Sequence, residues 1–109
     1  MITASLAGLV TFPAGGAYAA SKHAVVAVAE QAALGLAGTP VGVTVLCPAL
    51  VRSGMSEEGE DPLVVAEQAL AAVHAGTFTV TPGEWTEEIA RRGHRLATGA
   101  QPQMPSPTA

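Results

Sequence analysis

Residues 24–29 read Ala-Val-Val-Ala-Val-Ala, a stretch that is apolar on every face of a helix. They sit inside a longer run rich in Ala, Val and Leu, residues 17–37, which Gly38 and Pro40 stop. A helix without a polar stripe is normally buried on both sides, so it needs packing partners on two faces. The neighbouring segments supply them. Residues 1–5 are short, apolar and strand-like, and residues 42–47 alternate β-branched side chains. Asp61-Pro62 marks a further helix start, with Asp61 suited to cap and Pro62 to the first helical position. That helix runs to about Ala75, where Gly76 stops it. Residues 77–80 read as a third strand before a Thr81-Pro82-Gly83 turn. Residues 84–96 read as a last amphipathic helix, acidic early and basic late, as the helix dipole prefers. Strand and helix alternate, which argues for an α/β fold around a parallel sheet.

Composition bounds the rest. A chain of 109 residues is one domain or part of one. Its 49% hydrophobic and 13% charged content suits a buried α/β unit over residues 1–98. Residues 99–109 hold three prolines and are expected to form a disordered tail. The net charge of -4 discourages nucleic-acid binding, because neutralising phosphates needs a basic face. Arg91, Arg92 and Arg95 are read as a solvated last helical turn. The single Cys47 excludes an internal disulfide, is compatible with a reducing compartment, and reads as a packed strand-end thiol. Ala17-Tyr18-Ala19 has the look of a signal-cleavage site, but no positive charge precedes the apolar start. No apolar run is long enough to span a membrane, and a cytoplasmic location is expected. His23, His74 and His94 lack metal-ligand spacing and are read as structural, so no metal site is expected. Trp85 is expected to pack the last helix onto the sheet.

The chemistry concentrates in three residues. Tyr18 opens Tyr-Ala-Ala-Ser-Lys, and positions i and i+4 share a helix face, so Lys22 can lie close to the Tyr18 phenol. A free tyrosine ionises near about pH 10. An adjacent cation favours the phenolate, which is how a tyrosine becomes a usable general acid or base. Thirteen residues upstream, Ser5 ends the first apolar stretch, where a strand end could aim its hydroxyl at the same point.

This arrangement resembles the short-chain dehydrogenase/reductase family, whose catalytic Ser, Tyr and Lys match Ser5, Tyr18 and Lys22. The resemblance continues through residues 43–53, Val-Thr-Val-Leu-Cys-Pro-Ala-Leu-Val-Arg-Ser, which look like the family's sixth strand and its Pro-Gly-x-Val-x-Thr loop. It implies a nicotinamide contact by Pro48, Ala49, Val51 and Ser53, with Ala49 in place of the usual Gly and Ser53 in place of Thr. Ala is tolerated there only if its φ is negative. The resemblance further implies NAD or NADP as cofactor, a small carbonyl or alcohol substrate, and homo-oligomers. It gives Lys22 a second role, a hydrogen bond to the nicotinamide ribose, and Ser5 an oxyanion-type contact.

The family's Gly-rich strand–turn–helix, which cradles the cofactor pyrophosphate, has no counterpart in these residues. Nor has its Asn-Asn-Ala-Gly segment, nor the Asn that completes its catalytic set. The expected fold is therefore part of a Rossmann-like doubly wound parallel sheet, about three strands and three helices, without the N-terminal half. Two readings follow: an oxidoreductase interconverting a carbonyl and an alcohol, or a truncated, non-catalytic fragment or half-enzyme that needs a separate N-terminal cofactor-binding half.

Overall fold

The computed structural model describes residues 1–54 and 56–108. Three parallel strands, β1 (Ile2–Thr3), β2 (Val45–Leu46) and β3 (Thr79–Val80), pair in the order β1-β2-β3. The register sets Ile2 opposite Val45 and Thr3 opposite Leu46, then Val45 opposite Thr79 and Leu46 opposite Val80. Each strand is shorter than its apolar segment, although the hydrogen bonds continue past β1 and β2, from the Ala4 N–H to the Leu46 carbonyl and from the Leu6 N–H to the Pro48 carbonyl.

Three helices follow the strands: α1 (Gly16–Gly35), α2 (Pro62–Ala75) and α3 (Thr86–Thr98). The Asp61 side chain accepts from the Leu63 N–H at 3.0 Å, and Pro62 takes the first helical position. Gly76 ends α2 in the left-handed region at φ 72°, where a side chain would be strained.

Alternation along β2 sorts the layers. Val45 and Cys47 face α1 and join Ala4, Val26 and Ala29 in one apolar cluster. Leu46 faces the other way and packs with Val65 and Ala69 of α2. The sheet is thus covered on both faces, the doubly wound arrangement expected from the alternating elements. Val45 and Cys47 are fully buried. Burial raises the Cys47 thiol above its ordinary value, only partly offset by the Ser5 backbone N–H donating to it, so the thiol stays neutral.

Two expectations are corrected. The all-apolar run in α1 is buried along one face only, through Ala19, Val26 and Ala29, while Val28 and Leu34 are exposed. Small Ala side chains let α1 approach the sheet closely, but a three-stranded sheet gives it just one wall. The α3 arginines are not a solvated turn either. Glu88 is buried, and its carboxylate accepts from Arg91 and Arg95 at 2.8 Å each. Arg92 reaches away from that pair and donates to the Leu9 carbonyl at 2.7 Å.

Trp85 also differs from expectation. It ends a 3-10 turn, Gly83–Trp85, and meets Phe12 edge-on with ring centroids 6.1 Å apart. It therefore packs on the loop after β1 and not on the sheet. Residues 100–108 carry no helix or strand but lie along α3, where Arg91 donates to the Ser106 carbonyl and the Thr108 N–H to the Glu84 carbonyl. No helix among the described residues is long and apolar enough to cross a membrane.

Burial of Glu88 with its two arginines makes the folded arrangement of α3 acid-sensitive. Hydrogen bonding from Arg95, with help from Arg91, holds the Glu88 carboxyl below its ordinary value of 4.5 against the opposing effect of burial. Because the folded value is depressed, this stabilisation is present above about pH 4.5 and is lost as pH falls through the folded value. The sole tryptophan, Trp85, stands at the start of α3 and reports on the contact. Its fluorescence should change on acidification below that range, and Glu88→Gln should remove most of the acid-dependent step. An identical acid profile in both proteins would refute the assignment.

Candidate active site

β1 and β2 run parallel, so their C-terminal ends open on one edge of the sheet, where ligands bind in open α/β folds. Ser5 follows β1 at that edge, and Pro48 follows β2. The two segments are tied beyond the strands by the Leu6 N–H, which donates to the Pro48 carbonyl at 2.9 Å. The Ser5 N–H completes the link by donating to Cys47.

Ser5 begins a 3-10 turn, Leu6–Gly8, and its hydroxyl oxygen accepts from the Ala7 N–H at 3.1 Å. A hydroxyl that accepts in this way keeps its own proton for donation elsewhere. The local fold thus fixes the oxygen and leaves the O–H available to donate.

Tyr18 lies in the first turn of α1 and is 57% exposed. Lys22 is one turn further on, and its Nζ stands over the Tyr18 ring, 5.5 Å from the centroid. The spacing in sequence gives this neighbourhood directly. No side chain caps the start of α1, and Ser21 donates back to the Tyr18 carbonyl at 2.7 Å. His23 bonds the Ala19 carbonyl through Nδ1 at 2.8 Å, a local contact within α1.

Gly8 joins the Ser5 turn to α1. A Cβ at Gly8 would fall 2.6 Å from the Lys22 carbonyl oxygen and 2.8 Å from Val26 Cγ2. Only a glycine lets the turn lie this close to the helix that carries Tyr18 and Lys22.

The loop after β2 carries the remaining predicted residues. No described non-glycine residue has a positive φ, so Ala49 meets the condition that its replacement of Gly requires. Val51 pairs with Glu60 in an isolated parallel bridge and packs against the Leu46 cluster. Ser53 pairs with Ser56 in an antiparallel bridge. Gly59, at φ 109°, lets the chain pass close to the Leu50 carbonyl, which accepts from the Glu60 N–H. The loop is thus folded back on itself at the sheet edge. Among the described residues, no group of three or more His, Cys, Asp or Glu side chains could hold a metal ion.

Sequence reasoning missed Arg92 and the buried Glu88. Their signal was present in part: Glu88, Arg91 and Arg95, at i, i+3 and i+7, share one helix face. Nothing local indicated that Arg92 would bond a residue 83 positions away.

A parallel sheet covered on both faces by helices defines a Rossmann-like α/β architecture. A family model described as short chain dehydrogenase matches residues 1–63, and the chain belongs to that family. It is 41% identical over 78 residues to 1-deoxy-11-beta-hydroxypentalenate dehydrogenase of Streptomyces exfoliatus, covering 65% of this chain and 28% of that protein. It is 33% identical over 70 residues to 2-(R)-hydroxypropyl-CoM dehydrogenase of Xanthobacter autotrophicus, covering 64% and 28%. The chain thus spans little more than a quarter of the length of these relatives. A short-chain dehydrogenase/reductase of Burkholderia phymatum, solved in complex with NAD, superposes with a TM-score of 0.75 at 27% identity, over 95% of this chain and 50% of that one. A structure from Novosphingobium aromaticivorans, designated a short-chain dehydrogenase, gives 0.79 at 28% identity, over 93% and 37%.

The Gly8 contact supplies a direct check on this geometry. Gly8→Ala must push the Ser5 turn off α1 and should cost about 1–3 kcal/mol of stability in denaturant unfolding. Gly42→Ala, where an added Cβ meets nothing within 4 Å, serves as the control and should cost far less. Equal losses in the two variants would contradict the close approach.

Proposed function

We propose that this chain carries the substrate-facing part of an NAD- or NADP-dependent oxidoreductase that interconverts a carbonyl and an alcohol, with residues 1–98 as the functional unit. The observation that carries this reading is the Ser5 turn seated against Lys22 through Gly8, with Tyr18 exposed one helical turn away. Family membership supports the reaction class. When bound, the nicotinamide supplies or accepts the hydride.

In the reducing direction Tyr18 gives its phenolic proton to the carbonyl oxygen, and Ser5 donates its O–H to the same oxygen. The Lys22 ammonium stabilises the phenolate left on Tyr18 and offers a hydrogen bond to the nicotinamide ribose. Pro48, Ala49, Val51 and Ser53 border the nicotinamide end of the cofactor. The Ala49 backbone and the retained hydroxyl of Ser53 fit that role.

The alternative is a non-catalytic piece that keeps these residues without holding a cofactor. It draws support from the lack, within residues 1–109, of the G-x-G-x-x-G spacing at a helix N-terminus that holds the pyrophosphate, since Gly15-Gly16 before α1 do not have it. One experiment separates the two. The chain by itself should show no saturable micromolar change in NADH or NADPH fluorescence. Joined behind the cofactor-binding N-terminal part of the NAD-bound Burkholderia phymatum relative, it should oxidise or reduce members of a panel of alcohols and ketones. Tyr18→Phe should then lower turnover about 100- to 10,000-fold. A folded, NAD-binding chimera without turnover would favour the non-catalytic reading.

We also infer that copies of this chain associate. Val28 and Leu34 of α1 and Leu63 and Leu70 of α2 are more than half exposed, and β1 presents an open edge to one side. Sizing with light scattering should give a mass of at least twice 10.9 kDa. A sharp monomer peak would count against it.

A further inference from the structure

We propose that Arg92 is a positioning residue for the Ser5 hydroxyl, acting from the C-terminal helix through the Leu9 carbonyl. The proposal rests on the catalytic reading of Ser5, but its geometry does not. Arg92 Nη1 donates to the Leu9 oxygen at 2.7 Å. Leu9 in turn closes the turn that Ser5 begins: its N–H donates to the Leu6 carbonyl, and the Gly8 N–H donates to the Ser5 carbonyl. The same turn presents the Ala7 N–H to the Ser5 hydroxyl oxygen. A shift at Leu9 therefore reaches the Ser5 oxygen through three consecutive turn bonds.

Two consecutive residues of this segment are held from opposite sides. Gly8 is pressed against α1 at Lys22, and Leu9 is bonded to α3 at Arg92. The α3 side is not close-packed. A cavity of about 120 Å³ lies between Val10–Thr11 and α3, lined also by Arg95 and Leu96. The Arg92 guanidinium lines this gap, and further along the loop Phe12 meets Trp85 edge-on. Apolar packing buries Val10 here, and the Arg92 bond adds a directed tie to the loop backbone. A charged donor on a neutral carbonyl is worth more than an ordinary hydrogen bond, and it fixes direction as well as distance.

Glu88 explains why Arg92 is available for this task. Its two oxygens are taken by Arg91 and Arg95, on the same face of α3. Arg92, at the next position after Arg91, leaves that face and turns to the loop. The ion pairs occupy Arg91 and Arg95 within α3 and leave Arg92 to bond Leu9.

The test is amide hydrogen exchange on the full chain, which requires neither cofactor nor turnover. Arg92→Met keeps most of the side-chain volume and removes the donor. It should accelerate exchange of the Ala7 and Leu9 amides about tenfold, leaving the β2 and α2 amides unchanged. Arg92→Lys, which restores a single charged donor, should bring both amides back to within about threefold of the parent rate. In a Ser5→Ala background, where the Ala7 bond is already lost, Arg92→Met should add nothing further at Ala7. Unchanged Ala7 exchange in Arg92→Met, a uniform rise over all elements, or failure of Lys to restore the rates would each overturn the proposal. A chimera without turnover, by contrast, would overturn the catalytic reading and leave these exchange rates as they are.

Discussion

Everything in this small fold depends on β2. Its two ladder residues pair with β1 on one side and β3 on the other, and successive side chains feed opposite cores. Val45 and Cys47 hold α1, and Leu46 holds α2. Burying a side chain such as Val45 completely contributes roughly 1.5–3 kcal/mol, so these few positions provide much of the cohesion. The Thr44 hydroxyl adds a bond to the Thr77 carbonyl at 2.8 Å, which draws the start of β3 into place.

The same strand also organises the chemistry. Parallel pairing brings the ends of β1 and β2 to one edge, and Leu6 N–H to Pro48 C=O extends the ladder into the loops. Ser5 and the loop beginning at Pro48 are therefore neighbours as a consequence of sheet register. Tyr18 and Lys22 arrive by another route, since α1 is seated by its own core face and by Gly8. A serine fixed by a strand end and a tyrosine fixed by a helix start keep a constant relation only because both elements share one core. Neutral, buried Cys47 sits behind Ser5 and serves that packing.

Local chemistry made much of this legible. Asp61-Pro62 and Gly76 bracket α2 because capping, a fixed proline φ and a left-handed glycine are decided by neighbouring residues alone. The Tyr18/Lys22 neighbourhood follows from the helical repeat. The extent of α1 burial did not follow, because Ala24 to Ala29 look the same whether one wall or two face them. The arginines of α3 were read as solvated because their charges suit a helix C-terminus; the spacing of Glu88, Arg91 and Arg95 offered the pairing but not its burial, and nothing nearby in sequence told of Leu9.

The sequence by itself determined the alternation of strands and helices, the caps, and the identities of Ser5, Tyr18 and Lys22 with their spacing. These depend on interactions between residues a few positions apart. Only the tertiary structure decided that α1 leaves Val28 and Leu34 exposed and that Trp85 meets Phe12 and not the sheet. It alone set Glu88 under two arginines and Arg92 on the Leu9 carbonyl. The Trp85–Phe12 and Arg92–Leu9 contacts join segments far apart along the chain, and their free energy appears only once the sheet has closed the distance between them.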